Sequence, residues 1–332
     1  MASLETQHLD EVIVSNRRKM LALGGAAIAG LAFAGVRADA QTTTPAYSDA
    51  DILNFALNLE YLEAQFYTLA TTGTTIDAQG IGIGAGTATT GTGTVSTKPG
   101  GPASCLVPWT IPAVQAYATE TALEERNHVA FLRGALSSAA VAMPNIDLYQ
   151  SFMTLASAAK IVTPAPFDPF ANDLYFLVGA YIFEDVGVTA YSGAAPLITT
   201  PAYLTAAAGI LAVEAYHAGL VRTSIFGADP TGSAGLQGIT QQISATRMLL
   251  DGSTTVDDIG VGFQTTSTEP TGTTNGAATI VDAQTGSPNY SKTYSRTTTQ
   301  VLRIVTGSTN TPATGQKYTG VFFPNGLNGL FS

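Results

Sequence analysis

The feature that most constrains this chain is a pattern of glutamate, tyrosine and histidine that occurs twice. Four short segments with helical periodicity carry it, and they form two pairs. In each pair the first segment holds a glutamate with a tyrosine seven residues later, and the second holds Glu-x-x-His. Two of the three histidines in the chain fall in this pattern. The segments are Asn54–Tyr67 with Tyr117–Leu132, and Leu177–Tyr191 with Leu211–Leu220.

The spacing of these residues predicts a metal site. On a helix, residues i and i+3 share a face about 5–6 Å apart, so Glu-x-x-His can hold one cation or bridge two. A glutamate from each of two helices and Glu-x-x-His from each of two others is the ligand set of di-iron and di-manganese bundles. Four carboxylates would balance two divalent ions; without metal, some of them must take up protons. The predicted ligands are Glu60, Glu125, His128, Glu184, Glu214 and His217.

One ligand position stays open at this point. Glu63 lies one turn from Glu60 on the same helical face, so it is an alternative ligand, an additional ligand or a proton carrier. We favour Glu60, because only Glu60 has the same spacing to a tyrosine, Tyr67, that Glu184 has to Tyr191. Both tyrosines are interpreted either as hydrogen-bond donors or radical quenchers beside the metals, or as core residues.

Two further glutamates precede the first of these histidines along its helix. Glu120 and Glu124 lie within eight residues of His128. We expect them to face solvent or to pair with Arg126 or Arg133, because exposed carboxylates usually do one or the other.

The order of the segments predicts a mainly α fold. Residues 41–227 are expected to form a four-helix bundle, with one long crossover between the second and third helices. Residues 71–104 are a Gly/Thr-rich insertion within the bundle, interpreted as a loop or a β-hairpin. Residues 228–332 have an irregular texture and no histidine or clustered acid–base pair, so they predict a smaller lobe packed on the bundle.

Signals at the helix ends predict several boundaries. Ser48 with Asp51 is typical of a capping box at the first helix. Gly227 is expected to end the fourth helix, because glycine tolerates the left-handed conformation at that position. The other helices are predicted at Pro112–Leu136, 147–160, Asn172–Tyr191, Pro201–Phe226, Gly235–Leu250 and Thr298–Val305.

Residues 1–40 resemble a twin-arginine export signal. Asn16-Arg17-Arg18-Lys19 precedes an apolar run over residues 21–36, and Ala38-Asp39-Ala40 forms an A-x-A cleavage site. The run is short for crossing a bilayer, so we expect cleavage and a periplasmic or extracellular protein, with a retained anchor as the alternative. No later segment is expected to be long and apolar enough to span a membrane.

Composition restricts the partners. About 45% of residues are hydrophobic and 11% are charged, which is enough to bury a large core. The net charge is −10. Because no basic cluster follows the leader, we expect no nucleic-acid or anionic membrane partner.

With these motifs the chain resembles the ferritin-like superfamily. It looks most like an exported branch that includes the desiccation-related proteins of plants and many bacterial relatives. The resemblance spans most of the chain after the leader, although the insertion and the C-terminal region match loosely. The stretches that carry it are residues 57–64 (LNLEYLEA), 183–191 (FEDVGVTAY), 211–215 (LAVEA) and 322–329 (FFPNGLNG).

The resemblance implies a role for each ligand. Glu60 and Glu184 would be outer carboxylates, Glu125 and Glu214 would bridge two Fe or Mn ions, and the two histidines would be terminal ligands. Members of the superfamily oxidise ferrous iron, consume peroxides or activate dioxygen. The resemblance therefore implies an exported dinuclear metalloprotein that handles metal ions and small oxidants during stress. It leaves open whether the protein is an oxidoreductase. The alternative is a non-catalytic structural or desiccation-protective scaffold. A small homo-oligomer is compatible with either function, whereas the insertion and tail argue against a storage shell.

Overall fold

The computed structural model describes residues 47–254, 258–265, 274–277, 293–313 and 315–331. Within these ranges the secondary structure is mainly helical, as predicted, with seven α-helices and four short strands. The predicted signal segment lies outside the described residues. In chain order the elements are α1 Asp49–Thr72, β1 Val95–Ser96, α2 Pro112–Leu136, β2 Ile146–Asp147, α3 Gln150–Ala158, α4 Asp173–Ala194, α5 Pro201–Ala228, α6 Leu236–Asp251, β3 Gly262–Thr265, β4 Thr274–Ala277 and α7 Thr298–Thr306.

Helices α1, α2, α4 and α5 form a four-helix bundle. Helix α1 packs on α2 and α4, and α5 packs on α4 and α2. The connection from α2 to α4 is the predicted long crossover, and it contains α3. Helices α1 and α4 are apolar on nearly all sides and are almost entirely buried, as expected of helices inside a bundle. The expected helical bundle is therefore confirmed.

The start of α1 follows from its sequence. The Ser48 hydroxyl accepts a hydrogen bond from the Asp51 amide, and the Asp51 carboxylate accepts one from the Ser48 amide at 2.9 Å. The predicted capping box is present, and it satisfies amides that the first turn would leave without partners.

Helices α2 and α5 each leave one face exposed. By length and composition α5 could cross a membrane, so the expectation that no later segment would pass this test was wrong. Only 33% of its most apolar window is buried. Its charged side chains Glu214 and Arg222 nevertheless point into the protein and are fully buried, which makes α5 a bundle helix in this structure.

The structure decides one open alternative and corrects one prediction. The Gly/Thr-rich insertion, interpreted from sequence as a loop or a β-hairpin, is mostly loop, and its short strand β1 pairs in parallel with β2 from the crossover, Val95 opposite Ile146. Helix α5 does not end at Gly227 but continues to Ala228, with Asp229 as its C-cap. The helix predicted at 147–160 is shorter in the structure, and the bounds of α4, α6 and α7 differ by one to three residues from the prediction.

The C-terminal helices are attached to the bundle by buried ion pairs. Helix α6 packs on α4 and α5, and α7 packs on α4 and α6. The guanidinium of Arg247 lies 2.9 Å from Asp185 of α4 and 2.7 Å from Asp258. The acids and bases of this region do cluster, contrary to the expectation from sequence, because residues far apart along the chain meet in the core. The network contains Arg222, Arg247 and Arg296 with Asp185, Asp251 and Asp258.

Candidate metal centre

The structure brings the six predicted ligands and Glu63 together in the middle of the bundle. Each of the four bundle helices contributes at least one of them, and all seven are buried. Their inward direction follows from helical spacing, because i, i+3 neighbours share a face. They are Glu60 and Glu63 of α1, Glu125 and His128 of α2, Glu184 of α4, and Glu214 and His217 of α5.

A first group surrounds His128. Its Nδ1 lies 3.1 Å from Glu60 Oε2, 3.5 Å from Glu125 Oε2 and 3.7 Å from Glu214 Oε1. One ligand atom from each of these four residues lies within 4.8 Å of the other three. Four donors that converge in this way could hold one metal ion.

A second group surrounds His217. Its Nδ1 lies 3.0 Å from Glu125 Oε1 and 3.5 Å from Glu184 Oε2. Glu125 therefore turns one oxygen to each histidine, which is the arrangement a bridging carboxylate needs.

A third group makes Glu63 a member of the cluster. Oxygens of Glu63, Glu184 and Glu214 lie within 4.8 Å of one another. Glu60 and Glu63 are both buried here, so the choice between them that the sequence left open is not exclusive.

Several polar atoms of the cluster lack hydrogen-bond partners in the described part of the chain. They include both oxygens of Glu125, both oxygens of Glu214, and Nδ1 of His217. His217 Nδ1 is close to Glu125, but the two are not aligned as a hydrogen bond. Leaving buried carboxylates unpaired is costly, and a cation among these lone pairs would remove that cost. The donor set, hard oxygens with two imidazoles, fits iron or manganese.

Burial raises the pKa of most of the carboxyl groups. It raises the pKa of Glu60 to about 7, although the nearby charge of His128 opposes the shift. Burial, together with repulsion from neighbouring carboxylates, raises the pKa values of Glu63 and Glu214 well above the ordinary value of 4.5. Without metal, these groups therefore tend to hold protons.

Glu125 and the two histidines shift in the opposite sense. Burial would raise the pKa of Glu125, but the close approach and charge of His128 and His217 lower it. Burial likewise opposes charge on the histidines, yet surrounding carboxylates raise the pKa of His128 to about 11 and that of His217 to about 12. The raised pKa values favour the charged form of both imidazoles in the metal-free protein, and that charge would offset part of the carboxylate charge.

The two tyrosines exchange partners between helices. The spacing associates each tyrosine with the glutamate of its own helix, but seven residues span about 10 Å along the axis, too far for direct contact. Instead the Tyr67 hydroxyl donates to Glu184, and the Tyr191 hydroxyl donates to Glu60. These reciprocal contacts require α1 and α4 to run antiparallel, and they hold each carboxylate from the opposite helix.

Glu124 has a role that the sequence did not reveal. Its Oε2 lies 2.7 Å from Nε2 of His217, so it does not simply face solvent or pair with an arginine as expected. Because His217 Nδ1 faces the cluster, Nε2 is left to donate to Glu124, which orients the ring. No signal within one segment could identify this contact, because the partners lie on α2 and α5. Glu120 accepts a hydrogen bond from the exposed Tyr216 hydroxyl at 3.1 Å.

Gly187 makes room for the cluster. A Cβ at this position would lie 2.1 Å from Glu214 Oε2 and 3.5 Å from Glu63 Oε1. Any larger residue would therefore displace the Glu214 carboxylate. Sequence reasoning missed this glycine, because its neighbour belongs to another helix.

Comparisons with known proteins agree with the geometry. A family model described as the ferritin-like domain matches residues 48–226. The desiccation-related protein PCC13-62 of Craterostigma plantagineum is 32% identical over 184 residues, which cover 54% of this chain and 53% of that protein. The chain thus spans about half the length of that relative. The ferritin-like catalase Nec2 of Nesocodon mauritianus is 24% identical over 291 residues, 85% of this chain and 84% of that protein. No solved structure gave a significant match.

Proposed function

The chain belongs to the ferritin-like domain family, and on that premise we propose that it is an exported dinuclear metal protein that handles peroxide, dioxygen or ferrous iron in stress protection. The observation that carries the proposal is the convergence of buried carboxylates and imidazoles from four helices, several of whose oxygens lack hydrogen-bond partners among the described residues. A purely structural core would avoid such groups, because each one costs free energy when it is left unpaired.

Each residue has a distinct task in this proposal. His128 and His217 would bind through Nδ1, and Glu125 would bridge through its two oxygens. Tyr67 and Tyr191 would hold the outer carboxylates in place, and the apolar helices would exclude bulk water. Two bound iron or manganese ions would supply the redox chemistry and Lewis acidity. Glu63 can hold a proton beside the cluster, since burial and neighbouring carboxylates raise its pKa.

Peroxide is the substrate that we propose first. One relative is named a catalase and aligns over most of this chain. Disproportionation converts two molecules of hydrogen peroxide into two of water and one of dioxygen, so one peroxide is oxidised and the other is reduced. Oxygen evolution from hydrogen peroxide by the manganese- or iron-loaded protein would support this reaction. Ferrous oxidation without peroxide consumption would support a ferroxidase instead.

Metal content tests the site itself. We expect elemental analysis to find about two Fe or Mn ions per chain after anaerobic reconstitution. The double variant Glu125→Gln, His128→Gln should lose them, since Glu125 belongs to both main groups. Glu120→Gln is the matched control, because Glu120 is exposed and contacts only Tyr216 among the described groups. Metal-free native protein, or a double variant that binds as much as the control, would contradict the proposal.

A non-catalytic protective role is the second candidate, favoured by the similarity to a protein named as desiccation-related. If the bundle acts only as a scaffold, the same double variant should preserve tolerance of drying or oxidants in the producing cell. Loss of tolerance with circular dichroism and thermal unfolding unchanged would contradict the scaffold role.

Export is proposed from residues 1–40 alone. Replacing the arginine pair, Arg17→Lys with Arg18→Lys, should retain the protein in the cytoplasm. Mass measurement of the exported protein should find Gln41 at its N-terminus. An exported protein that keeps the leader would support the anchor alternative.

A further inference from the structure

Two adjoining apolar cavities lead from the partly exposed surface beside α3 and α6 to the Glu63 side of the carboxylate cluster. We propose that they form a path for dioxygen between solvent and the metal site. The use of this path rests on the proposed metal function, whereas the ability of the cavities to take up an apolar gas does not.

The outer cavity has a volume of about 30 Å³ and lies between α3, α4, α6 and α7. Its outer wall includes Leu155, Ile161 and Leu250, which are partly exposed. Its inner wall includes Phe152 and Ile182, which are buried. The cavity therefore extends from the rim of the fold into its core.

The inner cavity has a volume of about 20 Å³ and reaches the cluster. Its lining includes Leu59, Val186 and Val305, and also Glu63 and Gly187. Gly187 is the residue whose missing Cβ leaves room for the Glu214 carboxylate. Because Glu63 and Gly187 line this end of the cavity, it ends at the carboxylate cluster.

Three side chains separate the two cavities and line both. They are Ile182, Ile304 and Phe322. The Phe322 ring packs against Phe152 at 5.2 Å and against Phe183 at 4.9 Å between ring centroids. These three side chains are apolar, so no hydrogen bond has to break for them to move aside.

The lining selects an apolar molecule. A buried water needs two to four polar partners, and apolar cavities stay dry and take up gases such as xenon. Among the described residues that line the outer cavity, only Thr246 and Arg247 are polar, and the Arg247 guanidinium is paired with Asp185 and Asp258. Hydrogen peroxide would lose its hydrogen bonds here, whereas dioxygen has none to lose.

The size of the cavities excludes larger substrates. About 10–15 Å³ of such volume holds one water molecule. Cavities of 20 and 30 Å³ therefore take a molecule of about two heavy atoms. A polar group does reach the surface beside the cluster elsewhere, where Glu124 is partly exposed and contacts His217.

A third apolar cavity supplies a control. It also measures about 20 Å³ and shares Leu59 with the inner cavity, but the described residues that line it include Tyr191 and none of the clustered carboxylates. Ala207 lines it on α5, as Ala156 of α3 lines the outer cavity of the path. Both alanines are buried, so Ala156→Val and Ala207→Val add the same two methyl groups in comparable surroundings.

Crystals of the native protein pressurised with xenon test the cavities directly. We expect a xenon peak in each of the two path cavities, and Ala156→Val should lose the outer peak while Ala207→Val keeps it. This result does not depend on metal, so it stays informative if the protein binds none. Absence of xenon from both cavities of the native protein would overturn the proposal.

Kinetics test whether the path is used. In protein loaded with ferrous iron, Ala156→Val should slow oxidation by dioxygen and leave oxidation by hydrogen peroxide and the iron content unchanged. Ala207→Val should change none of these quantities. If Ala156→Val binds no outer xenon yet reacts with dioxygen at the native rate, the path is not the route. If neither native nor variant binds iron, the metal function fails while the xenon result stands.

Discussion

The two halves of the bundle, α1 with α2 and α4 with α5, have the same predicted ligands but different surroundings. Three residues after its outer glutamate, α1 has Glu63 and α4 has Gly187. Immediately before its bridging-type glutamate, α2 has Glu124 and α5 has Val213. The repeated residues form the buried cluster; of the unrepeated ones, Glu63 and Gly187 line the inner apolar cavity and Glu124 is partly exposed beside His217.

A second correspondence lies just outside the cluster. Arg133 and Arg222 each follow the histidine of their helix by five residues. Arg133 donates to the Tyr61 hydroxyl at 2.6 Å, and to backbone carbonyls of the Gly/Thr-rich insertion that include Gly84 at 2.6 Å. Arg222 donates to Asp185 at 2.8 Å and to the carbonyl of Ile259 at 2.8 Å. Each half thus uses one arginine to attach a segment that is added to the bundle.

The two arginines differ in exposure and in the charge of their partners, and this difference shows how each added segment is held to the bundle. Arg133 is partly exposed and its partners are neutral, whereas Arg222 is buried with an aspartate in a network of six charged groups. A buried charge needs compensation, so the C-terminal region is tied to the bundle electrostatically, and the insertion is tied by hydrogen bonds to neutral groups.

The strongest test of the comparison is Gly187→Ala. The new Cβ would lie 2.1 Å from Glu214 Oε2, so we expect the variant to lose its metal. The control is Gly209→Ala on α5, where a Cβ meets nothing within 4 Å. Elemental analysis should find native metal content in the control, together with about 0.5–1 kcal/mol of added stability. Full metal content in Gly187→Ala would show that the site tolerates a rearranged Glu214.

The next effect concerns the two arginines. Arg222→Met removes one partner of a buried ion pair and should cost about 3–5 kcal/mol of unfolding free energy. Arg133→Met removes charged hydrogen bonds to neutral groups and should cost less, about 1–3 kcal/mol. Chemical denaturation of both variants measures the difference. Equal losses would mean that the two attachments are energetically equivalent.

A smaller effect on metal affinity is expected from Glu124, which contacts His217 and has no counterpart at the same position on α5. Glu124→Gln weakens the acceptor of His217 Nε2 and should lower metal affinity about 10–100-fold, as changes beside metal ligands commonly do. Glu120→Gln, one turn away and in contact with Tyr216, should leave affinity unchanged. Competition with a chelator gives both affinities. An unchanged affinity in Glu124→Gln would mean that packing alone orients the ring.

The smallest effect is the pH dependence that Asp258 contributes through the buried ion pairs of the C-terminal region. Burial would raise the pKa of Asp258, but the charges of Arg247 and Arg296 lower it below the ordinary value of 3.8. A lowered carboxyl pKa contributes stability that is present above pH 3.8 and is lost as the pH falls through the folded-state value. The slope should be at most about 1.4 kcal/mol per pH unit for this group. Unfolding curves below pH 4 should show a shallower slope for Asp258→Asn, whereas Arg133→Met should keep the native slope.

The bundle and the six predicted ligands follow from the sequence because their signals are local. Glu-x-x-His and the tyrosine spacing each lie on one helix, where periodicity determines which residues share a face. The contacts of Glu124 and Gly187 with residues of α5 do not follow from the sequence, because they depend on the distance and rotation between helices. The Arg247–Asp258 ion pair could not be predicted for a similar reason. Charged residues are usually exposed, and a sequence does not show which of them will be buried together. The export signal and the domain boundaries stay predictions.

The position of Glu125 has a consequence for how the centre fills. Its two oxygens face different histidines, so the ion that arrives first would settle this carboxylate in the orientation that the other ion requires. The Glu125 carboxylate is then already oriented when the second ion binds. We therefore expect the centre to load in pairs, with singly occupied protein scarce at intermediate metal supply.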